Sequence, residues 1–326
     1  MLFIGGGTGA PELLVALRDR LPESVCSIVV PVTDTGRSTG VIRRVLGIPA
    51  PGDLRHCLTT LAGSRSEWGR TLERRLRAPP DGGFDGMAVG NLVLGALTQE
   101  TGNIGLAAGR LSSMLGVAEQ VLPVSLEDIH LSAELEDGTR VHGEYEVRRP
   151  GKQAIRSLFI EGQQEGAWEP VRTAIEEATH CVLGPGSLWT SLGAVLEVRG
   201  IREALATSSA RILFVCNTTT QPGQTDGLDF QGHIGVVTRL SGRAPDVVLA
   251  NTGQPEPDLE EDLALHDLHM VYPPAMAGQD SASVIIGKDF LARSRPDRDW
   301  QKLHTAYHDM NKVAAALVPL IQEGAE

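Results

Sequence analysis

The sequence predicts an α/β fold built on an open, mostly parallel sheet, with a small antiparallel β excursion. Three observations carry this. The chain opens with a short apolar run, a glycine turn and a helical pattern. A second apolar run then completes a βαβ unit, whose crossover is right-handed by rule. Later apolar runs are short and end in polar, glycine-bearing loops, as buried parallel strands do.

Residues 1–4 are the first strand, Gly5-Gly6-Gly7-Thr8-Gly9 is the turn, and residues 11–17 have helical spacing with Pro11 near the start. Residues 25–32 form the second strand and run into a polar loop over 33–40. The stretch 53–62 is helical, with Asp53 placed as a cap after Pro51-Gly52. An arginine-rich polar span over 64–83 precedes apolar helices that open at Gly90-Asn91 and continue over 104–114. Residues 121–147 alternate like antiparallel sheet, with Asp137-Gly138 as a hairpin turn.

The α/β rhythm then returns: a helix over 169–177, a strand over 180–183, a loop over 184–190, a helix over 192–198 and a strand over 211–216. A later strand over 247–250 ends at Asn251. The acidic run 256–262 reads as a solvated surface, and residues 301–321 as a closing amphipathic helix. The 326 residues are expected to form one nucleotide-binding unit, with the β excursion near 121–150.

Composition narrows the function. A formal charge of -12 argues against a nucleic-acid or anionic-lipid partner. No apolar stretch is long enough to span a membrane and no leader pattern opens the chain, so the cytoplasm is the expected location. The four cysteines are far apart and lack CxxC spacing, and they read as reduced core thiols. The histidines form no HExxH pattern and no serine sits in a GxSxG elbow, which removes the common zinc and serine hydrolases. His56, His233 and His308 are weighed as site residues, but packing or surface positions are the ordinary reading for each.

In an open parallel sheet, ligands bind beyond the carboxyl ends of the strands where strand order reverses. Gly5 to Gly9 lets backbone approach a phosphate and feeds a helix N-terminus, so it is the first anion site. Asp34 stands near where dinucleotide folds place a ribose-binding carboxylate. It would instead serve a metal-phosphate, or simply bond its own turn. Ser187 and Thr190, after Gly184-Pro185-Gly186, make either a second anion nest or a helix cap. Asn217 and the run Thr218-Thr219-Thr220-Gln221-Pro222-Gly223 offer amides and hydroxyls for sugar or base recognition, with no nucleophile or base among them.

Taken together, the loops resemble the YvcK/CofD-like family, most closely its YvcK, or gluconeogenesis-factor, branch. The resemblance rests on Gly5 to Gly9, Asp34-Thr35-Gly36-Arg37-Ser38-Thr39-Gly40, Pro51-Gly52-Asp53-Leu54-Arg55, Gly90-Asn91-Leu92, Gly184 to Ser191 and Asn217 to Gly223, in that order. Asn251 and His308-Asp309 extend it over nearly the whole chain.

It implies a Rossmann-like, doubly wound core and a homo-oligomer, often a dimer. The implied ligand is a nucleotide sugar, with UDP-N-acetylglucosamine leading, and the implied roles are carbon-source adaptation and control of cell-wall synthesis or cell shape, through a protein partner. The ligand-binding set carried over is Gly5, Gly6, Gly7, Thr8, Gly9, Asp34, Ser38, Asp53, Arg55, Asn91, Gly184, Gly186, Ser187, Thr190, Asn217, Thr220, Gln221 and Gly223. No catalytic residue is assigned.

The CofD branch instead transfers a phospholactyl group from a guanosine-diphospho donor to a deazaflavin with Mg²⁺, for which Asp34 would be the ligand. An ordinary nicotinamide dehydrogenase shares the opening turn but lacks an acid/base pair beside it. The sequence departs from the YvcK pattern at Thr35, where a second acid is usual, and at Arg37, where a glycine is usual. It departs again at Met87, Val195 and Gln224, which replace His, Asn and Glu.

Overall fold

The computed structural model describes residues 1–21, 25–79, 83–274, 282–293 and 306–323. The elements are β1 (Leu2–Ile4), α1 (Gly9–Arg18), β2 (Ser27–Val30), α2 (Arg37–Leu46), α3 (Gly52–Ala62), α4 (Glu67–Glu73), α5 (Val89–Thr101), α6 (Ile104–Leu115) and β3 (Gln120–Pro123). Then come β4 (His130–Leu135), β5 (Arg140–His142), α7 (Glu144–Arg148), β6 (Ile155–Glu161), α8 (Glu169–Glu176) and β7 (His180–Leu183). A π-helical turn, Leu188–Gly193, runs into α9 (Ala194–Leu196). The chain continues through α10 (Ile201–Thr207), β8 (Arg211–Val215), α11 (Phe230–Ser241), β9 (Val247–Asn251), α12 (Pro257–Leu265), β10 (Val284–Lys288) and α13 (Met310–Gln322).

Seven strands form one parallel sheet in the order β10-β9-β8-β7-β1-β2-β3. β1 is central. Leu2 is in register with Ser27 of β2 on one side and with Cys181 of β7 on the other. The chain winds outward from β1 to β3, then returns to β7 and winds the other way, so the reversal lies between β1 and β7. Their residues are all buried, as expected of strands covered on both faces. Helix α1 packs on α13 and α3, and α3 on α6.

β4, β5 and β6 form the separate antiparallel sheet, in the order β5-β4-β6. Its extent differs from the sequence reading. Residues 120–123 belong to the main sheet as β3, the excursion runs on to Glu161, and residues 144–148 are helical rather than extended. Alternation over a few residues cannot separate a short amphipathic helix from a strand. The span read as a loop over 33–40 likewise turns into α2 at Arg37, capped by extended Gly36.

The acidic run belongs to α12, which buries Leu263. The closing helix starts at Met310, where the Asp309 carboxylate accepts from the Asn311 and Lys312 N–H groups. The expected start at 301–305 lies outside the described residues. Cys57, Cys181 and Cys216 are buried free thiols, and Cys26 is half-buried. Among the described residues no helix is long and apolar enough to cross a membrane.

Candidate functional site

The loops after β1 and β7 meet where the strand order reverses. Gly9 lies so close to the Pro185 carbonyl that a Cβ would overlap it, and a Cβ on Gly6 would come within 2.7 Å of Pro31 Cδ. These glycines therefore serve the packing of loop on loop. Gly7 is different: it has φ +60 with nothing within 4 Å of where a Cβ would stand. It combines the left-handed backbone of a tight turn with open space. The Gly184-Pro185 peptide is cis.

Asp53 is not the cap of α3. Pro51 takes that position, and Asp53 in the first turn accepts a 2.8 Å hydrogen bond from the Gly7 N–H through Oδ1. The carboxylate thus ties the turn after β1 to the first turn of α3. Asp34 Oδ1 accepts from the Gly36 N–H at 2.7 Å, the self-bonded turn expected of this residue type.

Glu144 of α7 joins these two acids. It is buried, and burial, reinforced by the charges of Asp34 and Asp53 and by a hydrogen bond to Asp34, pushes its carboxyl well above the usual range. Sequence reasoning missed Glu144 because its segment reads as a strand. The one available signal was a glycine, Gly143, directly before an acid. The Tyr145 N–H also donates to Thr35 Oγ1 at 3.3 Å, so α7 is held against the loop after β2.

Ser38, Asn91 and Arg55 come together, but toward one another. The Ser38 hydroxyl donates to Met87 Sδ at 3.1 Å and accepts from the Ala88 N–H and Asn91 Nδ2. Arg55 Nη1 donates to Asn91 Oδ1 at 3.0 Å, and its Nε to Glu73 at 3.2 Å. Glu73 also takes His56 Nδ1 and the Thr59 hydroxyl, and these partners hold its carboxyl at about 2 against the opposing effect of burial. Arg37 begins α2, and its side chain lies outside the described residues.

On the other side of the reversal, Ser187 caps the π-helical turn by accepting from the Thr190 N–H. Its hydroxyl donates to Gln224 Oε1 at 2.6 Å, and the Thr190 hydroxyl donates to Ser187 Oγ at 2.9 Å. Gln224, noticed in the sequence only as a departure, is the hub of this loop pair, and its carbonyl also accepts from Trp189 Nε1. Val195 is simply core.

Asn217 Nδ2 donates to the Gly186 carbonyl at 2.9 Å, which ties the loop after β8 to the loop after β7. Thr220 exchanges hydrogen bonds with the His269 backbone, and the Gly223 N–H donates to Asp226. Gln221 Oε1 is buried with no hydrogen-bond partner among the described residues. Such an oxygen costs free energy until a donor reaches it. Asn251 is turned inward, bonding Gly253 and the Phe290 N–H.

Each of the three histidines weighed from the sequence has a protein partner, though His233 Nε2 is buried without one among the described residues. His56 pairs with Glu73, His233 Nδ1 lies 2.7 Å from the Asp229 carbonyl, and His308 Nε2 lies 3.0 Å from the Cys216 carbonyl. Among the described residues, no group of three or more His, Cys, Asp or Glu side chains is arranged to hold a metal ion. A Mg²⁺ at Asp34 would therefore need phosphate oxygens and water for its other positions, as Mg²⁺ commonly does.

The chain is similar to known proteins over nearly its full length. The model of the family described as CofD, 2-phospho-L-lactate transferase, matches residues 1–290. A gluconeogenesis factor from Halalkalibacterium halodurans is 37% identical over 237 residues, 73% of this chain and 72% of that protein. A relative from Deinococcus radiodurans is 34% identical over 98% of this chain, and the chain spans 65% of its length. A crystal structure of a UPF0052 family member from Bacillus halodurans superposes with a TM-score of 0.86 at 29% identity, covering 97% of this chain and 98% of that one. The residue matches, the shared sheet and these relatives agree: the chain belongs to the CofD family, within its gluconeogenesis-factor (YvcK-like, UPF0052) branch.

Proposed function

We propose that the chain binds a nucleotide sugar, with UDP-N-acetylglucosamine first among candidates, and acts as a ligand-sensing regulator. The observation that carries this is the meeting of the Gly5–Gly9 and Gly184–Ser187 loops at the strand reversal, beside the N-terminus of α1. There backbone N–H groups and the helix dipole favour a phosphate. The orphaned Gln221 oxygen, in the loop after β8, suits a sugar or base N–H or O–H. Ser187 and Thr190 are bonded to Gln224 and to each other, with no histidine in the set, which favours recognition over nucleophilic attack. A homo-oligomeric assembly, a protein partner in cell-wall synthesis and a role in carbon-source adaptation belong to the same reading.

A second reading is a phospholactyl-type transferase, favoured by the description of the matching family and by the Asp34, Asp53 and Glu144 carboxyls at one edge of the crevice. It predicts turnover with a guanosine-diphospho donor, a deazaflavin and Mg²⁺.

The test is a calorimetric and thermal-shift panel of UDP-N-acetylglucosamine, UDP-glucose, GDP with Mg²⁺, and NAD. A ligand at about 100 times its Kd stabilises by about 2.7 kcal/mol. Gly7→Asp puts a side chain and a negative charge into the φ +60 turn and is expected to abolish the UDP-sugar response. Unchanged affinity in that variant refutes the placement, and a response to GDP with Mg²⁺ alone selects the transferase.

A further inference from the structure

Residues 143–152 cross the carboxyl edge of the main sheet. At one end, Glu144 bonds Asp34 and the Tyr145 N–H bonds Thr35, both in the loop after β2. At the other end, Gly223, in the loop after β8, lies so close to the Arg149 carbonyl that a Cβ would overlap it. Strands β1 and β7 lie between β2 and β8, and α7 also touches the π-helical turn after β7. The segment therefore straps the loops at which the sheet reverses.

Charge is unbalanced beneath this strap. Asp34, Asp53, Glu144 and Asp226 bring carboxyl groups to the crevice loops. Among the described residues the nearby guanidinium groups are committed: Arg43 to Asp128 and backbone carbonyls, Arg55 to Asn91 and Glu73, Arg148 to Glu144 and Arg149 to Glu146. Lys152 differs. Its Nζ is buried and has no hydrogen-bond partner among the described residues. Burial pushes its ammonium below the usual lysine range, with Asp226 opposing that shift and Arg149 adding to it. A buried, unbonded ammonium is costly and calls for an anion.

We propose that Lys152 binds phosphate oxygens of the ligand, so that the antiparallel excursion supplies the positive charge that the glycine loops lack. This rests on the nucleotide reading above. It gives the strap a chemical role, since its position across the crevice brings a cation to the diphosphate, and it assigns a ligand contact outside the parallel sheet.

The experiment uses the full chain as wild type, Lys152→Met and Lys152→Arg, with UDP, inorganic pyrophosphate and uridine as probes. Lys152→Met is expected to weaken UDP and pyrophosphate at least about tenfold, the scale of one charge-assisted hydrogen bond. Uridine binding should stay within about twofold of wild type by the same reasoning, and Lys152→Arg should recover part of the loss. Without ligand, Lys152→Met should melt at or above wild type, because a buried ammonium with no hydrogen-bond partner among the described residues has been removed.

Equal UDP and pyrophosphate affinity in wild type and Lys152→Met overturns the proposal. So does a variant that melts well below wild type and loses all three probes alike, which marks a packing residue. A wild type that binds pyrophosphate but neither UDP nor uridine overturns the nucleotide reading, while a loss of pyrophosphate in Lys152→Met still supports the anion contact. A wild type that binds neither UDP nor pyrophosphate overturns both.

Discussion

Acid should loosen the loop after β8 through one histidine. The His308 ring lies against the end of β8, with Nε2 3.0 Å from the Cys216 carbonyl, immediately before Asn217. Burial lowers its pKa from 6.5 to about 4, with the bond to Cys216 opposing. The folded state therefore holds this imidazole neutral at pH values where the unfolded chain protonates it. The unfolded state then binds more protons, so stability is full above about pH 6.5 and falls as pH drops toward 4.

The full shift corresponds to about 3 kcal/mol, and less in practice because the residue keeps some exposure. Urea unfolding of wild type and His308→Gln at pH 7 and pH 4.5 measures it, since glutamine keeps an N–H donor but does not titrate. Wild type should lose about 2 kcal/mol more than the variant over that interval. Glu73, whose carboxyl is held at about 2, acts in the same direction only below its ordinary value of 4.5, outside that interval. Parallel losses in the two proteins would refute the reasoning.

Arg43 is 3% exposed and donates to Asp128 and to the carbonyls of Thr33, Asp34 and Ile129. Arg43→Met leaves these acceptors unpaired and should cost about 3–5 kcal/mol in denaturant unfolding; a loss below about 1 kcal/mol would show that they find other donors. Glu144 has the opposite pH signature from His308. Its raised carboxyl lends stability that is complete below its unfolded value and is lost as pH rises through the folded one. Glu144→Gln should therefore match wild type near pH 4 and unfold at higher urea by pH 8.5, and a constant difference across pH would contradict the assignment.

The main sheet was legible because buried parallel strands are short, uniformly apolar and followed by polar turns. The runs ending at Ile4, Val30 and Leu183 are of that kind. The meeting of the two glycine loops followed from the position rule for open sheets. The excursion was harder. A helix of 5 residues, Glu144–Arg148, leaves too little periodicity to separate it from a strand, and its burial of Glu144 depends on contacts with Asp34, remote in sequence. The committed state of Arg55 and Asn91 was equally hidden, since a motif shows that polar residues recur together but not whether they face a ligand or one another.

Thr35 connects these features. Its hydroxyl accepts the Tyr145 N–H and anchors the strap. An aspartate there would place another carboxylate beside Asp34 and Glu144, which share a hydrogen bond and whose charges already oppose one another. With threonine at this position the crevice carries one negative charge fewer than it would with an acid. A neutral residue here weakens any site for a bare divalent cation and lessens the repulsion an anion would meet. Burial of the Lys152 ammonium at the other end of the same strap works in the same direction, and both ends are in keeping with the anionic ligand proposed above.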